Sequence, residues 1–169
     1  MKVLTVLVPT YNVEKYLRRC LDSLLLPEVL EEIEVLVVND GSKDGSADIA
    51  RAYEKKYPQT VVFVDKENGG HGSTINVGIE KAQGTYFKVL DSDDWMDAQA
   101  LDALMRLLKE LRRRQLQTDM IITNYVYEKP SENKRHVISY RNVLPKGRLL
   151  SWDEVGHFLP QQNLLMHSI

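Results

Sequence analysis

The segment Tyr86-Phe87-Lys88-Val89-Leu90-Asp91-Ser92-Asp93-Asp94 passes from an apolar run straight into three carboxylates. Tyr86 to Leu90 reads as a buried strand. Like charges gathered at one strand end repel one another, and each resists being taken out of water. A divalent cation removes that conflict, and a cation held by carboxylates suits a ligand rich in phosphate oxygens. The segment therefore points to a metal-assisted enzyme that handles a nucleoside-diphosphate ligand.

Outward from this segment the chain repeats one pattern. Val3 to Val8 is an aliphatic run, apolar on both faces, as expected of a central parallel strand, and Pro9 stops it. After Thr10-Tyr11-Asn12, apolar side chains recur at Val13, Tyr16, Leu17, Cys20, Leu21, Leu24 and Leu25, the spacing of an amphipathic helix that Pro27 ends. Asn12 is the expected N-cap. The same reading gives strands over Ile33 to Val38, Val61 to Val64, Tyr86 to Leu90 and Met120 to Thr123. Helices are expected over Ser46 to Lys56, Ser73 to Ala82 and Ala98 to Arg114. Such alternation predicts an α/β fold, a three-layer sandwich around a mostly parallel central sheet.

Beyond Tyr127 the pattern weakens. Glu128 to Lys134 reads as a surface loop and Val137 to Tyr140 as a short, antiparallel strand. Ser151-Trp152-Asp153-Glu154 fits a capping box opening a short helix. Leu164-Leu165-Met166 is apolar and without a stop signal. Residues 1–169 are therefore expected to form a single domain that continues past its C-terminal side.

The 169 residues suffice for one core, and 22 basic against 24 acidic residues leave a net charge of −2. A general nucleic-acid binder would carry a basic excess, so no nucleic-acid partner is expected. Arg112-Arg113-Arg114 closes a helix, where it complements the dipole on a solvated face. The single cysteine, Cys20, falls on an apolar helix face, and nothing points to an oxidising compartment. No signal peptide is visible, and no apolar run approaches the roughly 18 residues a span requires. The expected location is the cytoplasm, extending to the inner face of the membrane if the full-length protein associates peripherally.

Ligands of open α/β sheets sit at the carboxyl ends of the strands. Three polar clusters fall there: Pro9-Thr10-Tyr11-Asn12, Asn39-Asp40-Gly41-Ser42-Lys43-Asp44-Gly45 and Asp91-Ser92-Asp93-Asp94. Two nucleotide signatures are absent. The first strand-helix turn lacks the glycines of a dinucleotide fingerprint, and no Gly-Lys-Ser/Thr opens a helix. Tyr11 offers a ring for base stacking, and Asp40 an acceptor for an imino N–H such as uracil N3. Each cluster has a plainer reading too. Asp40-Gly41-Ser42 is ordinary turn composition. Asp94 or Asp97 serves as a helix cap, and Trp95 packs beneath its loop. His71, His136, His157 and His167 show no metal-ligand spacing.

Taken in order, these segments resemble the family 2 glycosyltransferases of the GT-A fold. The residues that carry the resemblance are Val8 to Asn12 with Glu14, Val37 to Ser42 with Asp44-Gly45, Glu67 to Gly70 with Asn76 and Gly78, and Ala82-Gln83-Gly84 leading into Leu90 to Asp94. The resemblance implies a GT-A (Rossmann-like) sandwich, a UDP-linked sugar donor, and Mg²⁺ or Mn²⁺. It implies that Thr10, Tyr11 and Asp40 hold the base, with Glu14 supporting that pocket. Asp91 would meet the ribose or a metal-bound water, and Asp91 and Asp93 the metal, Asp93 as the direct ligand. Pro9, Asn12, Asn68, Asn76 and Ser92 complete the implied donor site. The acceptor is expected to be a glycan or a lipid-linked sugar in polysaccharide biosynthesis, glycosylated with inversion at the anomeric carbon. One position departs from the family pattern, Ile75 standing where members often carry Arg. No residue is assigned as general base; the family's aspartate for that role is expected beyond this sequence. Two other readings are a nucleotide-sugar-binding module without transfer activity and a nucleotidyltransferase. The second lacks its glycine-rich basic loop after the first strand.

Overall fold

The structure, a computed structural model, describes residues 1–129, 134–140, 144–145 and 147–155. The chain divides into two compact units, Met1–Leu116 and Gln117–Ile169.

In the first unit the elements are β1 (Leu4–Thr10), α1 (Glu14–Leu24), β2 (Ile33–Asp40), α2 (Ser46–Lys56), β3 (Val61–Lys66), α3 (His71–Lys81), β4 (Tyr86–Val89) and α4 (Ala98–Arg113). All strand pairs are parallel, in the order β3-β2-β1-β4. Every residue of β1 and β2 is buried, which is why both segments read as unbroken apolar runs. Alternation along the strands sorts the two faces. Leu7, Leu36 and Val38 pack against Ile75 and Val77 of α3 on one side. On the other side α1 packs against α2 and α4, burying Leu17, Cys20, Leu21 and Leu24 together with Leu101, Met105 and Leu108. The result is a three-layer α/β sandwich built on a four-stranded, all-parallel sheet.

Two local expectations change. Asn12 does not cap α1. It sits in the left-handed region at φ 52°, and its Oδ1 accepts from the amide of Lys43 instead. The amides at the start of α1 are met from the β2–α2 loop and the first residue of α2: Asp44 Oδ2 accepts from Glu14 N at 3.1 Å and Ser46 Oγ from Val13 N at 2.9 Å. Helix α3 begins at His71, two residues before the apolar spacing suggests, because the preceding glycine loop already turns into it. The cap on α4 is Asp97, which accepts from Ala100 N.

In the second unit β5 (Tyr125–Lys129) pairs antiparallel with β6 (Lys134–Ile138). Met120 to Thr123 is not a strand; only an isolated bridge forms at Ile122. A short β-branched run has the composition of a strand, yet it becomes one only where a partner strand lies alongside, and here the pairing starts at Tyr125. The capping box is made as expected. Ser151 Oγ accepts from Glu154 N, and Glu154 Oε2 from Ser151 N, at the start of α5 (Trp152–Val155). The closing apolar residues, from Asn163 on, lie outside the described residues. Among the described residues no helix is long and apolar enough to cross a membrane.

At the amino ends of the strands, Glu34 is buried and accepts from Thr5 Oγ1 at 2.6 Å and Gln83 N at 2.9 Å. Thr5 Oγ1 in turn accepts from Gly84 N at 2.8 Å. A Cβ at Gly84 would lie 2.7 Å from the Leu4 carbonyl carbon, so only glycine lets this turn close on β1. Gly84→Ala is expected to destabilise the fold by about 1–3 kcal/mol, the usual penalty for forcing backbone to shift. Urea unfolding measures it; a loss below about 0.5 kcal/mol, ordinary for surface sites, would contradict the close packing.

Candidate functional site

The strand order places the site. The chain winds outward from β1 through β2 to β3, then returns to the far side of β1 as β4. The loops after β1 and β4 therefore diverge, and a crevice opens between them at the carboxyl edge, where such sheets hold ligands. Leu90 N donates to Leu7 O at 2.9 Å, which brings the acidic loop beside the end of β1.

The β1 loop is locked to the β2 loop. Ser42 Oγ accepts from Asn12 N at 3.0 Å, and Glu14 Oε2 accepts from Gly45 N at 2.6 Å. Pro9 and Thr10 are buried, with the Thr10 hydroxyl turned to Val8 O, whereas Tyr11 is 48% exposed. Its ring is thus presented at the rim rather than packed. Asn12 and Glu14 fasten the loops, and so does Asn68, whose Nδ2 donates to the main-chain oxygen of Asp40 at 3.0 Å. Asn76 is exposed in the second turn of α3 and has no hydrogen bond to the other rim residues.

Asp40 is the buried polar centre of this edge. Its Oδ1 accepts from Gly69 N at 2.9 Å and its Oδ2 from Gly70 N at 2.8 Å. Lys66 Nζ pairs with Oδ1 and also donates to Ser73 Oγ and Glu67 O. Gly70 makes this possible: at φ 83° its amide turns inward to the carboxylate, a conformation side chains disfavour. A carboxylate offers about four acceptor positions. Oδ1 is taken up by Lys66, Gly69 N and a long contact from Ser73 Oγ at 3.5 Å, whereas among the described residues Oδ2 receives only Gly70 N and keeps about one acceptor position. Burial alone would push this carboxyl up. The hydrogen bonds from Lys66, Gly69 and Gly70 outweigh it and hold Asp40 below the usual carboxylate range.

The acidic loop is different in kind. Asp91, Asp93 and Asp94 are exposed, while Ser92 is buried. The turn is closed by Asp94 N donating to Asp91 O at 2.9 Å. Neither the Asp91 nor the Asp93 side chain is engaged in a hydrogen bond or ion pair among the described residues. Beneath the loop lie Lys88, shifted down by burial against the pull of Asp94 and Asp91, and Cys20, pushed up to about 12 by burial and the same acids. Cys20 is therefore an inert core thiol. Among the described residues no group of three His, Cys, Asp or Glu side chains is already gathered around a metal position. The donor set fits a hard cation that takes one or two carboxylates and completes its shell with phosphate oxygens and water.

Sequence reasoning placed Ser42 in the rim cluster but missed Lys66, and it missed Ser46 as the acceptor for Val13 N. The signal was weak: a lysine closing an otherwise apolar strand is commonplace, and its partner Asp40 lies 26 residues away.

An open, parallel α/β sheet with polar loops at its switch point defines a class of α/β domains that hold ligands in that crevice. The family model for glycosyl transferase family 2 matches residues 5–167, and this chain belongs to that family. It is 36% identical over 129 residues to the glycosyltransferase GlyA of Streptococcus pneumoniae, covering 76% of this chain and 18% of that protein. It is 39% identical over 124 residues to the putative glycosyltransferase EpsH of Bacillus subtilis, covering 73% of this chain and 34% of that one. Among solved structures, S. aureus TarS 1-349 in complex with UDP-GlcNAc matches with a TM-score of 0.59 and 32% identity, over 72% of this chain and 34% of the 1-349 chain. The mannosyltransferase PcManGT of Pyrobaculum calidifontis, in complex with GDP-Man and Mn²⁺, matches at 0.54 and 28% identity, over 64% and 32%. The chain thus spans about a third or less of these relatives.

Because its folded pKa is depressed, Asp40 adds stability above its unfolded value of about 3.9 and loses that contribution as pH falls through the lower folded value. Asp40→Asn is expected to cost about 2–3 kcal/mol at pH 7, the scale of hydrogen bonds to a charged group. The gap to wild type should narrow steadily in thermal unfolding scans below pH 4. A gap constant with pH would contradict the charge-based role.

Proposed function

We propose that this chain provides the donor-binding part of an inverting glycosyltransferase that moves a sugar from a UDP-sugar to a hydroxyl of a glycan or lipid-linked acceptor. The observation that carries the reading is the juxtaposition of an exposed ring, Tyr11, and two unengaged carboxylates, Asp91 and Asp93, at one switch-point crevice. The complexes of TarS with UDP-GlcNAc and of PcManGT with GDP-Man and Mn²⁺ support a nucleotide-sugar ligand and a divalent ion.

In this reading Tyr11 stacks on the base. Asp40, ionised and with acceptor capacity left on Oδ2, takes the base imino N–H. An acceptor-only group selects bases that present a donor there, such as uracil, and disfavours cytosine. Thr10 shapes the pocket floor, and Glu14, Asn12 and Asn68 hold its walls. Asp91 reaches the ribose side, and Asp93 ligates Mg²⁺ or Mn²⁺, with Asp91 near it. When bound, the ion neutralises charge developing on the departing diphosphate. Asn76 and the buried Ser92 line the sugar end and the base of the loop. The acceptor hydroxyl then attacks the anomeric carbon opposite the leaving diphosphate. The new C–O bond forms as the C1–O bond to the diphosphate breaks, the hydroxyl proton passes to a general base not assigned to any residue of this chain, and the centre inverts.

Titration calorimetry with UDP, with and without Mn²⁺, tests this. The chain should bind UDP more tightly with Mn²⁺, and Asp93→Ala should abolish that gain while leaving metal-free affinity within about twofold. Unchanged Mn²⁺ dependence in the variant would reject Asp93 as the ligand. CDP binding as tightly as UDP would reject Asp40 as the base reader.

A further inference from the structure

The acidic loop does not hold itself in place. Within it only the turn from Asp94 N to Asp91 O is closed by main-chain bonding. At its start Leu90 N is tied to Leu7 O of β1, and three further contacts come from a short stretch of α1. The Cys20 thiol lies 3.9 Å from Asp91 O. Ser23 Oγ accepts from Met96 N at 3.1 Å, having donated its own proton to Cys20 O at 2.6 Å. Next to Met96, the Arg19 guanidinium carbon lies over the Trp95 ring, 3.2 Å from its centroid. Arg19 is exposed and Trp95 only half-buried, so the stack is not a consequence of core packing. Trp95 directly follows Asp93-Asp94.

We propose that Arg19 is a positioning residue for the acidic loop: by stacking on Trp95 it fixes the loop's outer half and so sets the carboxylates for cation-dependent binding. The inference rests on the reading of Asp91 and Asp93 as cation ligands. The thiol contact secures the loop at Asp91 and the Ser23 bond at Met96, whereas Asp93 and Asp94 lie between the thiol contact and the stack on Trp95, which holds their C-terminal side. A planar guanidinium suits that anchor, since it covers an aromatic face more fully than an ammonium does.

The test uses the 169-residue chain in a Trp152→Phe background, so that Trp95 is the sole indole. Two quantities are read: acrylamide quenching of Trp95 without metal, and the gain in UDP affinity on adding Mn²⁺. Arg19→Ala should raise quenching and cut the Mn²⁺ gain about threefold to fivefold, the scale of an exposed cation–π contact. Metal-free UDP affinity and melting temperature should hardly change. Trp95→Phe, which keeps a ring face, should retain most of the gain. Trp95→Ala should match Arg19→Ala, and the double variant should be no worse than either alone. A full Mn²⁺ gain in Arg19→Ala, with wild type also showing it, overturns the proposal and leaves the metal reading standing. Absence of any gain in the parent protein overturns the metal reading itself, and this inference with it.

Discussion

The carboxylate of Asp40 is the constraint on which the ligand edge depends. It is a charge only 3% exposed, and it survives burial because two glycine amides and an ammonium converge on it. That convergence fixes three separate pieces of chain: the end of β2, the end of β3 through Lys66, and the glycine loop that opens α3. A single buried charge without its partners would be costly, and a half-made network costs more than none. The same bonds hold the Asp40 carboxyl below the usual carboxylate range, so the group that organises the loops keeps its charge at neutral pH.

A second tier of polar contacts spreads this order along the rim. The β1 and β2 loops trade side chains for main-chain amides, Asn12 for Lys43 and Glu14 for Gly45. Helix α1 is the common element: its start is met by Asp44 and Ser46, and Cys20 and Ser23 further along it contact the acidic loop and Met96. The crevice at the switch point is thus lined by loops cross-braced before any ligand arrives. Pre-ordered polar groups cost less reorganisation on binding.

Much of this was legible in the sequence, for identifiable reasons. The parallel sheet showed as unbroken apolar runs because β1 and β2 are buried on both faces. The convergence of three polar clusters followed from strand alternation alone. Asn12 misled because its residue type suits a cap, and only the left-handed backbone sends its side chain across to Lys43. The run Met120 to Thr123 misled because strand composition is not strand pairing. Gln83-Gly84, which counted toward the family resemblance, proves to serve the opposite edge of the sheet, where Glu34 and Thr5 close on it. The tie between Lys66 and Asp40 was invisible because nothing in local spacing couples residues on adjacent strand ends.

The central claim is that the rim formed by the loops after β1, β2 and β4 is where a nucleotide diphosphate and a cation meet. Paramagnetic broadening tests it most directly, by recording amide NMR spectra of the chain with Mn²⁺ at trace level, with and without UDP. The account predicts that UDP makes the broadening selective for Asp91 to Trp95 and for Tyr11 and Gly41, sparing Lys2 and Gln83 at the far edge. Broadening centred on Lys2, Glu34 and Gln83, or none that depends on UDP, would contradict it.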